Sequence, residues 1–293
     1  MTDHYRSVFQ SGLFFGRHIL VTGGGSGIGR CIAHELAYLG ARTVIMGRTE
    51  YKLQTVAREI ADDGGKVDIA VCDVRDEAKV NESVERLSKL QPIDGLVNCA
   101  GGQFTALLSE MSAKGFDAVV RNNLTATFIV SRAVYDHSMR SAGGAIVNIT
   151  ADHRGGMPLM GHSGAARAGV ENLTATAALE WAEDGIRINA VAPGYVESSG
   201  FDTYADERMN RAIREFPSHT PLGRYGLEAE ISSAVCFLLS EAAAFITGQV
   251  LHIDGGFGLN TNTPMLPRGE APKPQASYDG FHRRVRPKIL KGE

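Results

Sequence analysis

No two of the four cysteines in this 293-residue chain stand close enough in sequence to share a metal ion: Cys31, Cys72, Cys99 and Cys236 lie far apart, each inside an apolar segment. That spacing removes the paired-cysteine zinc sites, and each cysteine reads as a buried free thiol of a reducing compartment. An excess of positive charge is missing too. With 30 Lys and Arg against 33 Asp and Glu, the formal net charge is −3. Nucleic acid is an unsuitable partner, because phosphate contacts need a basic surface. No apolar run is long enough to cross a bilayer, and the residues ahead of Gly12 hold no uninterrupted apolar core of a signal peptide. The expected setting is cytoplasmic, with small molecules and further copies of the chain as partners, and with no metal, nucleic acid or membrane.

What is present is alternation. Short β-branched runs at His18–Thr22, Arg42–Met46, Val67–Val71, Gly95–Asn98, Ala145–Thr150, Arg187–Val191 and Val250–Ile253 read as seven strands. Between them, amphipathic stretches near Ile28–Leu39, Glu50–Asp62, Glu77–Leu90, Ser112–Arg140, Ser163–Ala182 and Glu228–Leu239 read as helices. That order predicts an α/β fold, a doubly wound, seven-stranded parallel sheet of Rossmann type in a single domain over residues 14–259. Residues 260–293 change character. They hold five of the ten prolines and a basic cluster at Arg283, Arg284, Arg286, Lys288 and Lys291, which predicts an extended arm, either packed on another subunit or disordered.

The strand His18–Thr22 runs straight into Gly23-Gly24-Gly25-Ser26-Gly27-Ile28-Gly29 and then into a helix. Glycines there let the backbone turn sharply and approach a pyrophosphate, whose charge is met by amides at the helix N-terminus. A lone glycine motif is a weak signal, but its place between a strand and a helix makes it a strong one. The second strand ends in Met46-Gly47-Arg48-Thr49, without a carboxylate for a ribose 2′-hydroxyl. Arg48 can pair with a 2′-phosphate instead, so the cofactor expected is NADP(H).

Thr22-Gly23 with Gly27 and Gly29, then Asp73-Val74, Asn98-Cys99-Ala100-Gly101, Asn123 and Pro193-Gly194 follow in the order that resembles the short-chain dehydrogenase/reductase family, over about residues 14–259. The resemblance implies cofactor contacts from Gly23, Gly25, Ser26, Gly27, Ile28, Gly29, Arg48, Asp73, Val74, Asn98, Ala100, Gly101, Arg167, Pro193 and Gly194. It also exposes a departure. Ser163 and Arg167 stand where the family carries its catalytic Tyr and Lys, in His162-Ser163-Gly164-Ala165-Ala166-Arg167. An aliphatic hydroxyl is far too weak an acid to replace a phenol, and a guanidinium is never deprotonated, although it keeps its charge. Candidates for substrate contact and proton handling are Asn123, Arg167, His162, Ser163, Thr150, Asp152 and its neighbour His153.

Gly101-Gly102-Gln103-Phe104, the segment His162–Val170, and Phe245-Ile246-Thr247-Gly248-Gln249 leading to Asp254-Gly255-Gly256 look like the enoyl-CoA reductase branch of that family, as in peroxisomal trans-2-enoyl-CoA reductase and the dienoyl-CoA reductases. What this likeness implies is NADPH-dependent reduction of the 2,3 double bond of an acyl thioester, in which charge collects on the thioester oxygen and needs donors there. Two other readings stay open: a dehydrogenase of branched or terpenoid alcohols and aldehydes of the citronellol type, and a catalytically silent NADP-binding protein. Residues 197–217 read as a substrate lid, with Tyr195, Phe201, Tyr204 and Phe216 lining an acyl pocket. Likeness to relatives implies a homotetramer built on helices 112–140 and 163–182. The ending Lys291-Gly292-Glu293 is not a peroxisomal address.

Overall fold

Along β1 (His18–Thr22), Leu20 packs into one apolar cluster and Ile19 and Val21 into another. β4 (Gly95–Asn98) repeats the division with Leu96 and Val97, and β5 (Gly144–Ile149) with Ile146 against Ala145, Val147 and Ile149. Strands apolar on both faces are stable only where both faces are covered, which fixes a sheet between two helical layers. The computed structural model describes residues 4–259 and 275–291. β2 (Arg42–Gly47), β3 (Lys66–Val71), β6 (Ile186–Pro193) and β7 (Val250–Ile253) complete a seven-stranded sheet in the order β3-β2-β1-β4-β5-β6-β7, every pair parallel. The reversal between β1 and β4 is the switch point where ligands bind in such sheets.

Helices α1 (Gly27–Tyr38), α2 (Glu50–Asp62) and α3 (Glu77–Leu90) each follow a strand. Asp76 starts α3 by accepting a hydrogen bond from Lys79 N, satisfying one of the amides a helix start leaves over. The stretch expected as one helix from Ser112 to Arg140 is interrupted twice. α4 (Ala113–Val120) passes into a π-helical turn, Arg121–Thr125, then α5 (Ala126–Val134), a second π turn, Tyr135–Met139, and a last helical turn, Arg140–Ala142. At the first of these Thr127 Oγ1 donates to Asn123 O at 2.8 Å, a side-chain bond of the kind that loosens helical pairing. α6 (Gly161–Glu180) and α8 (Glu228–Leu239) follow β5 and precede β7.

Residues 197–217, expected as a substrate lid, hold a 3-10 turn, Phe201–Thr203, and a helix, α7 (Glu207–His219). Asp206 caps it through Arg208 N, and its buried stripe is Met209, Ile213 and Phe216. Asp202 Oδ1 accepts from Lys288 N at 2.8 Å, and Ile289 and Leu290 pack against the cluster of Phe201, Met209 and Ile213. The first part of the proline-rich arm lies outside the described residues. The described part, 275–291, lies against its own chain: Arg283 pairs with Asp63 at 2.6 Å, Arg284 with Glu197 at 2.7 Å, and Phe281 is buried beside Tyr5 and Cys31. Among the described residues no helix is long and apolar enough to cross a membrane.

Beneath the glycine loop sits Glu228, 4% exposed. Burial raises its pKa from 4.5 to about 7, with Glu197 and Asp279 adding to the rise and Arg30 and Arg284 opposing it. A carboxyl that binds its proton more tightly when folded stabilises the fold below its unfolded pKa, and that contribution is lost as pH climbs through about 7. The cost at high pH is on the order of 3 kcal/mol. Glu228→Gln is therefore expected to raise Tm at pH 8 while leaving it nearly unchanged at pH 5, measured by calorimetry; equal Tm gains at both values would contradict the buried-charge account.

Candidate active site at the carboxyl edge of the sheet

Thr22 closes β1 and organises the switch point. Its hydroxyl accepts from Cys99 N and Ala100 N at 3.0 Å each, so the turns after β1 and β4 are tied together. Gly29 then passes so near the loop that a Cβ there would stand 2.5 Å from Gly23 O. Ser26 takes the N-cap of α1 in an extended conformation, φ −165°, and its side chain makes no capping bond. The first amides of α1 are thereby left to a ligand, at the end of the helix that favours an anion.

These elements wall a cleft of about 640 Å³. Of the expected cofactor contacts, Gly23, Gly25, Ser26, Gly27, Ile28, Gly29, Arg48, Val74, Ala100, Gly101, Arg167, Pro193 and Gly194 line it. Two do not, and their partners say why. Asp73 is turned onto Arg75, its carboxylate 2.6 Å from Nη2, and this pairing is the main cause that lowers its pKa to about 2. Asn98 is buried, donating to Ser131 Oγ and to Asn148 Oδ1 at 2.8 Å each, while Asn148 donates to Thr174 Oγ1 at 2.9 Å. It is a tie between β4, β5, α5 and α6. Lys52, which sequence reasoning passed over, lines the cleft near Arg48; its place one turn into α2 behind Arg48 was the available signal. A larger cavity, about 740 Å³, opens at the opposite edge of the sheet. It is lined by charged groups that already have partners, such as Arg17 with Asp94 and Arg42 with Asp68, and lies away from the edge where such sheets bind ligands.

Arg167 enters the cleft from α6. Nη1 donates to Ile149 O at 2.8 Å, buried Nε has no hydrogen-bond partner, and no carboxylate among the described residues pairs with it. Burial pushes its pKa down, yet a guanidinium stays charged. Asn123, fully buried on the π turn, accepts from Gly102 N at 2.9 Å, and its Nδ2 has no partner. Both converge on Gly101: a Cβ there would lie 2.7 Å from Arg167 Nη2 and 3.0 Å from Asn123 Oδ1. A cradle of glycine, unpaired guanidinium and orphaned amide fits the ribose and amide edge of a dinucleotide, which supplies many oxygens.

The other proton-handling candidates are held elsewhere. His162 is sealed in the core, its ring edge-on to Phe104 at 4.5 Å, its pKa lowered by burial, and its Nδ1 accepts from Ser163 N. Ser163 is 1% exposed and its hydroxyl does not line the cleft. Asp152 accepts from Arg154 at 2.8 Å, and Arg154 also binds Asp254. His153 faces Glu171 at 3.1 Å. Thr150 does line the cleft, and its hydroxyl lies 3.2 Å from Val191 O, to which it donates. Of the aromatics expected in an acyl pocket, Phe201 and Tyr204 reach the cleft, while Tyr195 stacks on Phe216 at 3.1 Å behind it.

Fold and cleft together define a dinucleotide-binding oxidoreductase of the doubly wound α/β class. The chain belongs to the short-chain dehydrogenase/reductase family, with residues 23–258 matching the family model described as enoyl-(acyl carrier protein) reductase. It is similar to the mouse peroxisomal 2,4-dienoyl-CoA reductase, 36% identical over 86% of this chain and 87% of that one. Among solved structures it is similar to a citronellol catabolism dehydrogenase of Pseudomonas aeruginosa, 49% identical with TM-score 0.77 over 87% of this chain and 100% of that one. A gluconate 5-dehydrogenase of Burkholderia cenocepacia, in complex with NADP and tartrate, is 35% identical with TM-score 0.78 over 84% and 97%.

Placing a methyl group at Gly101 tests the cradle. Gly101→Ala forces Arg167 or Asn123 to move, and overpacking of this kind costs about 1–3 kcal/mol. Dinucleotide affinity, read by fluorescence titration, is expected to fall by one to two orders of magnitude; unchanged affinity places the cofactor elsewhere.

Proposed function

We propose that the protein is an NADPH-dependent reductase of the 2,3 double bond of 2-enoyl thioesters. The observation that carries this reading is Arg167: a fixed, half-buried cation whose Nε is sealed from solvent and which has no counter-ion among the described residues, beside a position where the family's phenol has become a sealed serine. Reduction of a carbonyl needs an acid at the reacting oxygen. Reduction of a conjugated double bond needs charge stabilisation at a thioester oxygen, which a fixed cation and nearby donors supply without giving up a proton. The bound nicotinamide would supply the two electrons and one hydrogen.

In this reading the loop Gly23–Gly29 and the first turn of α1 hold the pyrophosphate, and Arg48, exposed and without an ion pair among the described residues, takes the 2′-phosphate with Lys52 nearby. Asn123 orients the nicotinamide end, Arg167 stands between it and the substrate, and Thr150, Gln103 and Tyr204 face the substrate. The lid excludes water above them. We place the protein in the cytoplasm and read the exposed Phe128 on α5 and Leu179 on α6 as part of a contact between copies in a homotetramer. The mouse relative's name supports the thioester; the Pseudomonas relative's name, at higher identity, supports a second reading as a dehydrogenase of terpenoid alcohols or aldehydes.

Purified protein with NADPH, offered crotonyl-, octenoyl- and geranyl-CoA beside citronellol and citronellal, separates them. Oxidation of NADPH by the thioesters is expected; turnover confined to the alcohol and aldehyde sinks the first reading in favour of the second. Arg48→Ala is expected to weaken NADPH about tenfold or more and leave NADH binding unchanged, since a charge-assisted bond contributes about 1.5–3 kcal/mol. Equal loss for both dinucleotides removes Arg48 from 2′-phosphate recognition.

A further inference from the structure

α6 brings no phenol to the cleft, yet the segment that roofs the cleft does. Tyr204 follows the turn Phe201–Thr203 and lines the same cleft as Arg167, Thr150 and Gln103. Gln103 Nε2 donates to Tyr204 Oη at 2.6 Å. The oxygen thus acts as an acceptor, which leaves the phenol's own hydrogen to be given elsewhere. That hydrogen faces Met160 Sδ at 3.9 Å, a thioether that accepts hydrogen bonds weakly. A carbonyl oxygen entering the cleft is a far better acceptor.

We propose that Tyr204 is the proton donor of this site, carried in by the lid instead of by α6, with Gln103 and Arg167 holding the tyrosinate that remains. The proposal rests on the enoyl-thioester reading and deepens it. Its step is the proton half of the reduction, the electron pair and other hydrogen coming from the reduced nicotinamide dinucleotide. The Tyr204 O–H bond breaks, its electron pair stays on Oη, and the proton joins the α-carbon through the electron pair of the substrate enolate. Solvent returns a proton to Oη when the lid opens.

The surroundings suit both protonation states. Burial raises the phenol's pKa, which keeps the acid loaded at neutral pH, while the Gln103 amide and the charge of Arg167 pull it back down. Those are the groups that stabilise the conjugate base once the proton has left. A Tyr beside a fixed cation is the pairing the family motif would have placed on α6, rebuilt here from a different element with Arg167 as the cation. Its position depends on the lid being down. Phe201 is buried with Met160, Met209 and Ile213, and Asp202 is bound to the backbone of Lys288, so the turn that aims Tyr204 is anchored on both flanks.

Tyr204→Phe keeps the ring in its packing and removes the hydroxyl alone. Compared with wild type on crotonyl- and octenoyl-CoA, kcat is expected to fall about 100-fold, KM and dinucleotide affinity to change by less than about threefold, and the fall of kcat at high pH to vanish. An acid must be protonated to act, so wild-type kcat should decline as pH rises through the phenol's pKa; Gln103→Met, which removes a bond to the phenolate, should move that decline to higher pH. A Tyr204→Phe enzyme with wild-type kcat across the pH range overturns the proposal. If that variant loses its fold, an unmoved decline in Gln103→Met overturns it instead. A wild-type protein that ignores enoyl thioesters but oxidises citronellol overturns the functional reading, and Tyr204→Phe is then judged by the same loss of kcat on the alcohol.

Discussion

A guanidinium partly withdrawn from water, with no carboxylate among the described residues beside it, is an expensive group, and the cleft is arranged around that constraint. Arg167 gives one N–H to Ile149 O and leaves buried Nε unmatched. A buried charge is tolerated when dipoles or a ligand complete its shell, because the alternative costs several kcal/mol. Arginine, unlike lysine, cannot escape that cost by losing its proton. The surrounding backbone is therefore committed: Gly101 must lack a side chain, Asn123 must turn its carbonyl to Gly102 N, and the end of β5 must present a free carbonyl. Each concession makes sense only if an oxygen-rich ligand occupies the space for part of the protein's working cycle.

Three ties fix the ground on which Arg167 stands. Thr22 binds the turn after β4 to the end of β1. The chain Ser131, Asn98, Asn148 and Thr174 runs through the buried layer from α5 across β4 and β5 to α6. The π turn at Arg121–Thr125 sets Asn123 against Gly102. Buried polar chains with nearly every group satisfied define one geometry more sharply than apolar packing does. The cleft is fixed by these bonds on the sheet side, and residues of the segment 197–217 form its other wall.

Those two kinds of wall differed in how well the sequence revealed them. The sheet, the glycine loop and the helices Glu50–Asp62, Glu77–Leu90 and Glu228–Leu239 follow from local periodicity, and the structure gives them the same bounds. Asn98 and Asp73 show where local reading ends: residue type and position suggested ligand contacts, whereas their partners Ser131, Asn148 and Arg75 are set by tertiary neighbours or by a rotamer. Asp152, His153, His162 and Ser163 lie near the same strand end, but none lines the cleft: Asp152 and His153, on the loop after β5, are met by Arg154 and Glu171, while His162 and Ser163 sit in the first turn of α6, with His162 packed on Phe104. Helix α7 was hidden by its many charges and by Pro217. The spacing of Met209, Ala212, Ile213 and Phe216, three and four apart, carried the signal nonetheless.

Moving an acid from α6 to the lid changes what closure does. With the phenol on a core helix, the proton donor is present whether or not substrate is bound. With Tyr204 on the turn Phe201–Thr203, donor and substrate meet only when the lid is seated, so water exclusion and proton supply become one event. The C-terminal arm then matters to the chemistry at a distance. Arg284 pairs with Glu197 at the start of the lid segment, and Lys288 and Ile289 donate to Asp202 within it. A strap that stabilises the seated lid by even about 1.4 kcal/mol multiplies its population relative to the open form tenfold. The basic, proline-rich arm is in this sense the far end of the same constraint: a fixed, half-buried cation needs a partner group, the partner rides on the lid, and the lid is held from outside by Arg284, Lys288 and Ile289 of the chain's own arm.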